Sequence, residues 1–296
     1  MSDTREWGGA LRLRVEQFSP SLGRVADNLA RIAAAQADAA GEEVSLLVTP
    51  ELSLTGYDLR DRTHSLAAPL DPAPFAQLRG GPDVILGTVE LGPGFVPFNT
   101  AVHLRAGEIL HRHRKVYLPT YGMFDEGRYF GAGDRVRSYD AGGGWQIGML
   151  VCEDLWHPAL AYLLAMGGAN LLVVQTAAAG RGIRDGHPAR QGGAGRFASW
   201  AAWEHLAIAA AIAYGVYVVL ANRVGVEGPC VFAGGSMIIA PDGSTVARAD
   251  DRDEDRITAE LRLDRVAAAR RPFSHARDED AHLLQRELGR LIGEGG

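Results

Sequence analysis

The chain has 296 residues, 47% of them apolar, and a formal net charge of −6. That length can bury a large core, and with no linker-like stretch it reads as one α/β domain spanning 1–296. Interspersed charges leave no basic stripe for nucleic acid, no apolar run of about 18 residues offers a membrane span, and the opening MSDTREWGGA lacks a secretory core, so a cytoplasmic protein is expected.

Residues 11–17 alternate as a strand, and 23–40 carry apolar residues at helical spacing. The apolar run Val44 to Val48 predicts a buried strand ending in Thr49-Pro50-Glu51. Strands follow at 83–90, 99–105 and 108–113, the last two joined by a turn at Ala106-Gly107. After an irregular segment, 114–134, the strand 145–151 ends directly at Cys152. Helices from about 158 to 167 and 196 to 214 then alternate with strands 170–175 and 216–221, a β-α-β rhythm. Residues 235–263 read as strands, with DDRDED as a solvated hairpin tip rather than a metal site. A C-terminal helix around 277–292 is expected to pack on the body or at an oligomer interface. Two sheets face to face, each with an outer helical layer, would fit this pattern, which spacing alone does not prove.

Of the 30 basic residues, Lys115 is the only lysine. A composition that writes arginine wherever a cation suffices implies that this position needs a compact ammonium rather than a wide guanidinium. Cys152 and Cys230, in a chain without an export signal, are expected to stay reduced. Cys152 stands at a strand-to-helix junction, where helix N-terminal amides lower a thiol pKa and can hold an oxyanion. Glu51 ends another apolar strand and could take a thiol proton if partial burial lifts its pKa. Lys115 likewise lies just past a strand, the position where open α/β sheets build their sites.

Three blocks, LLVTPELSLTGYDLRD, HRKVYLPTYGMFDEGRYFGAGD and IGMLVCEDLWHP, together resemble the glutamate, lysine and cysteine blocks of the nitrilase superfamily of carbon-nitrogen hydrolases. Gln17, Ala221-Asn222-Arg223-Val224-Gly225, Phe232 and Gly234-Gly235-Ser236 extend the similarity over nearly the whole chain. The resemblance implies a four-layer α-β-β-α sandwich, a homodimer or higher homo-oligomer, and a Glu-Lys-Cys triad using neither metal nor organic cofactor. By it, Cys152 is the nucleophile, Glu51 the general base, and Lys115 with the Glu153 N–H the oxyanion donors. Glu126 matches the second family glutamate, which positions the lysine.

The run Leu118 to Glu126, with Cys152-Glu153-Asp154-Leu155-Trp156, is similar to the glutamine-hydrolysing domain of glutamine-dependent NAD synthetases, and by that analogy Tyr57, Tyr121, Phe124 and Glu153 line the amide pocket. Two departures limit that analogy. Gln175-Thr176-Ala177-Ala178-Ala179-Gly180 lacks the serines of those domains, leaving Arg181 or Arg184 to bind a substrate carboxylate, and the 296 residues hold no Ser-Gly-Gly pyrophosphate loop, so ammonia is expected to be released or handed to a separate protein. The expected activity is therefore hydrolysis of a small linear amide with release of ammonia, possibly to a separate ammonia-dependent NAD synthetase. A free-standing amidase or N-carbamoyl amidohydrolase, a non-catalytic scaffold subunit, and a Cys-His protease using His157 are the alternatives.

Overall fold

The computed structural model describes residues 9–122, 124–182, 197–272 and 275–294. The chain opens with β1 (Ala10–Gln17), α1 (Val25–Gly41) and β2 (Leu46–Val48). A short α2 (Thr63–Leu66) precedes β3 (Asp83–Leu91), β4 (Pro97–Arg105) and β5 (Glu108–Arg114). The segment expected to be irregular holds one helical turn, α3 (Glu126–Tyr129), before β6 (Ser138–Asp140) and β7 (Gln146–Val151). Next come α4 (Pro158–Met166), β8 (Leu171–Thr176), α5 (Trp200–Tyr214) and β9 (Tyr217–Asn222); residue 196, the expected start of α5, lies outside the described residues. A small ribbon, β10 (Val226–Glu227) and β11 (Cys230–Val231), leads to β12 (Met237–Ile239), β13 (Thr245–Arg248) and β14 (Asp255–Arg262). The chain closes with α6 (Leu263–Arg270), α7 (His275–Asp278) and α8 (Ala281–Glu294).

Two six-stranded mixed sheets result, ordered β14-β1-β2-β3-β4-β5 and β13-β12-β9-β8-β7-β6. Parallel pairing joins β1, β2 and β3 in the first and β7, β8 and β9 in the second. Alternation along the strands explains the layers. In the first sheet Leu46, Val48 and Ile85 join the core shared with the second sheet, while Leu47, Val84 and Leu86 pack outward on Leu29 and Ile32 of α1. The second sheet is covered by Leu160, Ala161 and Leu164 of α4 and by Trp200, Trp203, Ala207 and Ala211 of α5. This is the α-β-β-α sandwich expected from the sequence.

One expected connection is corrected. Asp250 to Asp255 does not tip a hairpin, because β13 pairs with β12 in one sheet whereas β14 runs antiparallel to β1 in the other. The acidic run is the crossover between sheets. Gln17 holds it in place, donating to the carbonyls of Asp250 (2.6 Å) and Asp253 (2.8 Å) while its Oε1 accepts from the Ser236 amide and hydroxyl. Buried amide side chains need such complete pairing, which fixes the crossover's path. At the far end, α8 buries none of its residues and leaves Leu283, Leu284, Leu288, Leu291 and Ile292 exposed. No helix among the described residues is long and apolar enough to cross a membrane.

Candidate active site

Three strand ends converge on one side of the sandwich. Glu51 follows β2 in a turn closed by a Thr49–Ser53 hydroxyl pair at 2.7 Å, with Leu52 at φ +48°. The turn lies directly on β3 at Gly87, where a Cβ would come within 2.3 Å of the Leu52 nitrogen, so only glycine admits the approach. Cys152 follows β7 at φ +49°, a left-handed conformation that side chains rarely adopt and that persists only where surrounding structure enforces it.

Part of that enforcement comes from Asp154, which is fully buried. Its carboxylate accepts from the amides of Val151, Val116 and Tyr117, each at 3.0 Å, and pairs with His113 Nε2 at 2.9 Å. It thereby clamps the Cys152 turn to the backbone just after Lys115. Asp154→Ala would strand these buried donors, and we expect a loss on the order of 3 kcal/mol in urea unfolding. Displacing the thiol relative to Lys115 should also lower kcat by about 10²-fold; an unchanged unfolding midpoint would show that the clamp carries no stability.

Lys115 has no exposed side-chain surface, and its Nζ donates to Glu51 Oε1 at 2.9 Å and Glu126 Oε1 at 2.7 Å. Burial works against its charge, but the carboxylates of Glu126 and Glu51 outweigh burial and raise its pKa well above the usual lysine value. Asn99 completes the group by donating to Glu51 Oε1 at 2.7 Å, leaving Glu51 Oε2 buried and without a protein partner among the described residues. Glu126 is pushed up to about 7, first by burial and then by Glu51, although Lys115 and the Tyr57 hydroxyl, which donates at 2.5 Å, pull it down. The Cys152 thiol is raised well above its usual range by burial and next by the Glu51 charge; Lys115 and the Ala177 amide oppose this. The resting cysteine is therefore a thiol, with a carboxylate and an ammonium in its field.

The remaining predicted residues lie around this centre. Tyr57 and Phe124 meet edge to face with centroids 6.2 Å apart, and Tyr121 packs on Phe124 at 6.1 Å. The Tyr121 hydroxyl donates to Glu153 at 2.9 Å, and burial followed by that bond pushes its pKa up to about 12. The Arg181 guanidinium is exposed, stands 5.9 Å over the Phe124 ring, and forms no ion pair among the described residues; Arg184 lies outside them. Ala178 to Gly180 pair with the chain at 231–233, the Thr176 hydroxyl donates to Asn222, and that of Ser199 is spent on the Ala179 carbonyl and the Arg181 amide. His157 stacks on Tyr117 at 3.3 Å.

Sequence reasoning passed over Asn99, Asp154 and Glu227. Glu227 accepts from the amides of Tyr57 and Asp58 and from Arg223 at 2.6 Å, fixing the loop that presents Tyr57. A signal existed for Asn99 alone, as a polar residue within the buried strand PFNTAVHLR.

Residues 12–271 match the family model described as carbon-nitrogen hydrolase. The chain belongs to the carbon-nitrogen hydrolase family. It is 30% identical over 260 residues to the glutamine-dependent NAD(+) synthetase of Thermotoga maritima, covering 86% of this chain but 42% of that protein. The chain thus spans less than half the length of the synthetases it matches. It is also 30% identical to an (R)-stereoselective amidase of Pseudomonas sp. over 274 residues, 90% of this chain and 91% of that enzyme. Among solved structures, a mutant amidase from Nesterenkonia sp. AN1 superposes with a TM-score of 0.76 at 26% identity, covering 94% of this chain and 97% of that one. That structure holds the acetamide moiety of fluoroacetamide on the active-site cysteine. Glu51, Lys115 and Cys152 all lie within the matched region of this carbon-nitrogen hydrolase.

Proposed function

We propose that this protein hydrolyses a small linear amide bearing a carboxylate, with glutamine as the first candidate, and releases ammonia through a thioester on Cys152. The observation that carries the reading is the buried Lys115 ammonium, held between two carboxylates beside a thiol in a strained turn. Glu51 Oε2 takes the thiol proton as sulfur attacks the amide carbon. The oxyanion is held by Lys115 Nζ and the Glu153 N–H, and ammonia leaves with the proton returned by Glu51. Water, deprotonated by Glu51, then cleaves the thioester; the acid is freed and Glu51 returns the proton to the Cys152 sulfur. Glu126 keeps Lys115 charged and in place, and Arg181 above Phe124 offers a guanidinium to the substrate carboxylate.

A separate ammonia-dependent NAD synthetase is the acceptor that the synthetase relatives suggest. The second reading, a free-standing amidase or N-carbamoyl amidohydrolase, is favoured by the hydroxyl-poor Ala177 to Gly180 segment and by the likeness to a Pseudomonas amidase over nearly its full length. Ammonia release should be measured on glutamine, asparagine, ω-amides and N-carbamoyl amino acids. Turnover of glutamine with loss of specificity in Arg181→Gln supports the first reading. Glutamine inert alone and with an ammonia-dependent NAD synthetase overturns it, and no turnover of any amide together with no Cys152 adduct favours a non-catalytic subunit.

The partner we propose for α8 is a second copy of the chain, since its exposed leucines otherwise remain in water. Light scattering should give at least a dimer that Leu288→Glu dissociates; a monomeric wild-type chain would overturn it.

A further inference from the structure

One cleft lies away from Glu51, Lys115 and Cys152. A cavity of about 790 Å³ opens at β5, the edge strand of the first sheet, and its lining includes Glu90, every residue from Ile109 to Arg114, and Arg135 and Arg137. Strand alternation places Glu90 away from the triad. Glu90 accepts from the Thr100 hydroxyl at 3.0 Å, on the face of β3 and β4 that carries Leu86 and Val102, whereas Asn99, which holds Glu51, points to the opposite face.

The charge of the cleft is organised. Glu90, almost fully buried, receives Arg112 at 2.8 Å and Arg114 at 2.5 Å, which fixes both guanidiniums. Across the strand edge Arg135 stands 3.9 Å from its neighbour Asp134, and Arg137 is exposed with no ion pair among the described residues. Four guanidiniums against the carboxylates of Glu90 and Asp134 leave an excess of two positive charges in the lining. Burial lowers His111 to about 4, so its ring adds no charge at neutral pH. Leu70, Leu91, Ile109 and Leu110 supply an apolar part of the same wall.

We infer that this cleft binds a small phosphomonoester with an apolar or aromatic body. A phosphate monoester carries about −1.5 to −2 charges at neutral pH, matching the excess, and guanidiniums suit its oxygens as paired donors. The volume is that of small-molecule sites, and inorganic phosphate alone would leave the leucine wall unused. None of Glu51, Lys115 or Cys152 lines the cleft; His113, which pairs with Asp154, is the lining residue that also touches the clamp on the Cys152 turn.

The test is titration calorimetry of the full chain at low salt with AMP, 1-naphthyl phosphate, adenosine and inorganic phosphate. At least one ester should bind about tenfold or more tighter than both adenosine and phosphate, and weaken as salt rises. Arg135→Gln with Arg137→Gln, both exposed, should weaken that binding by about tenfold or more while leaving the thermal midpoint unchanged; Cys152→Ala should leave it intact. Binding of neither ester at millimolar concentration, phosphate binding as tightly as the esters, or equal affinity in the double variant would each overturn the assignment.

Discussion

Glu51→Gln is expected to lower amide turnover by about 10²–10⁴-fold, the usual contribution of a positioned general base. The same change should make Cys152 easier, not harder, to alkylate. Burial and the Glu51 charge together hold the thiol well above its ordinary range, while Lys115 pulls the other way. In the unaltered protein, alkylation by iodoacetamide should therefore climb with pH by about tenfold per unit, with no plateau below about pH 9. Removing the Glu51 charge leaves Lys115 as a stronger influence on the sulfur, so the curve should move to lower pH. Turnover within about tenfold of the starting level, or a curve displaced to higher pH, would remove Glu51 from the role of base. A resting thiol is a weak nucleophile, so attack on an amide near neutral pH depends on proton transfer to Glu51.

Lys115→Met should cost about 3–5 kcal/mol in urea unfolding, because it leaves the buried carboxylates of Glu51 and Glu126 facing each other without a cation. Adding Glu126→Gln should recover part of that loss, since one of the two charges is then gone. Turnover should fall by about 10²–10³-fold in both variants, as expected for loss of an oxyanion donor. Lys115→Arg tests a separate point. It keeps the charge, but a planar guanidinium does not fit where one nitrogen lies 2.9 Å and 2.7 Å from two different carboxylates, so turnover should fall nearly as far. Stability unaffected by Lys115→Met, or an active Lys115→Arg, would separate the ion pair from the chemistry assigned to it.

How much of this was legible beforehand depends on whether the cause was local. Periodicity within single elements placed the strands before Glu51 and Cys152, because alternation and apolar runs follow from which face a strand buries. The lone lysine pointed to a site that needs a small cation, and the structure finds that residue without exposure, between Glu51 and Glu126. The crossover at Asp250 to Asp255 was misread as a hairpin, since a turn looks the same whether its two strands share a sheet or enter different ones. Asp154 and Glu227 were invisible as clamps because their partners, the amides of Val116, Tyr117, Tyr57 and Asp58, come from distant segments and backbone amides carry no sequence signal. The sequence by itself determined the β-α-β rhythm and the three chemical groups at strand ends. Only the tertiary structure decided which carboxylate oxygens hold Lys115, which way the thiol's pKa moves, and that an arginine-lined cleft opens at the β5 edge of the first sheet. Those depend on distances between chain segments, which folding sets and local pattern does not encode.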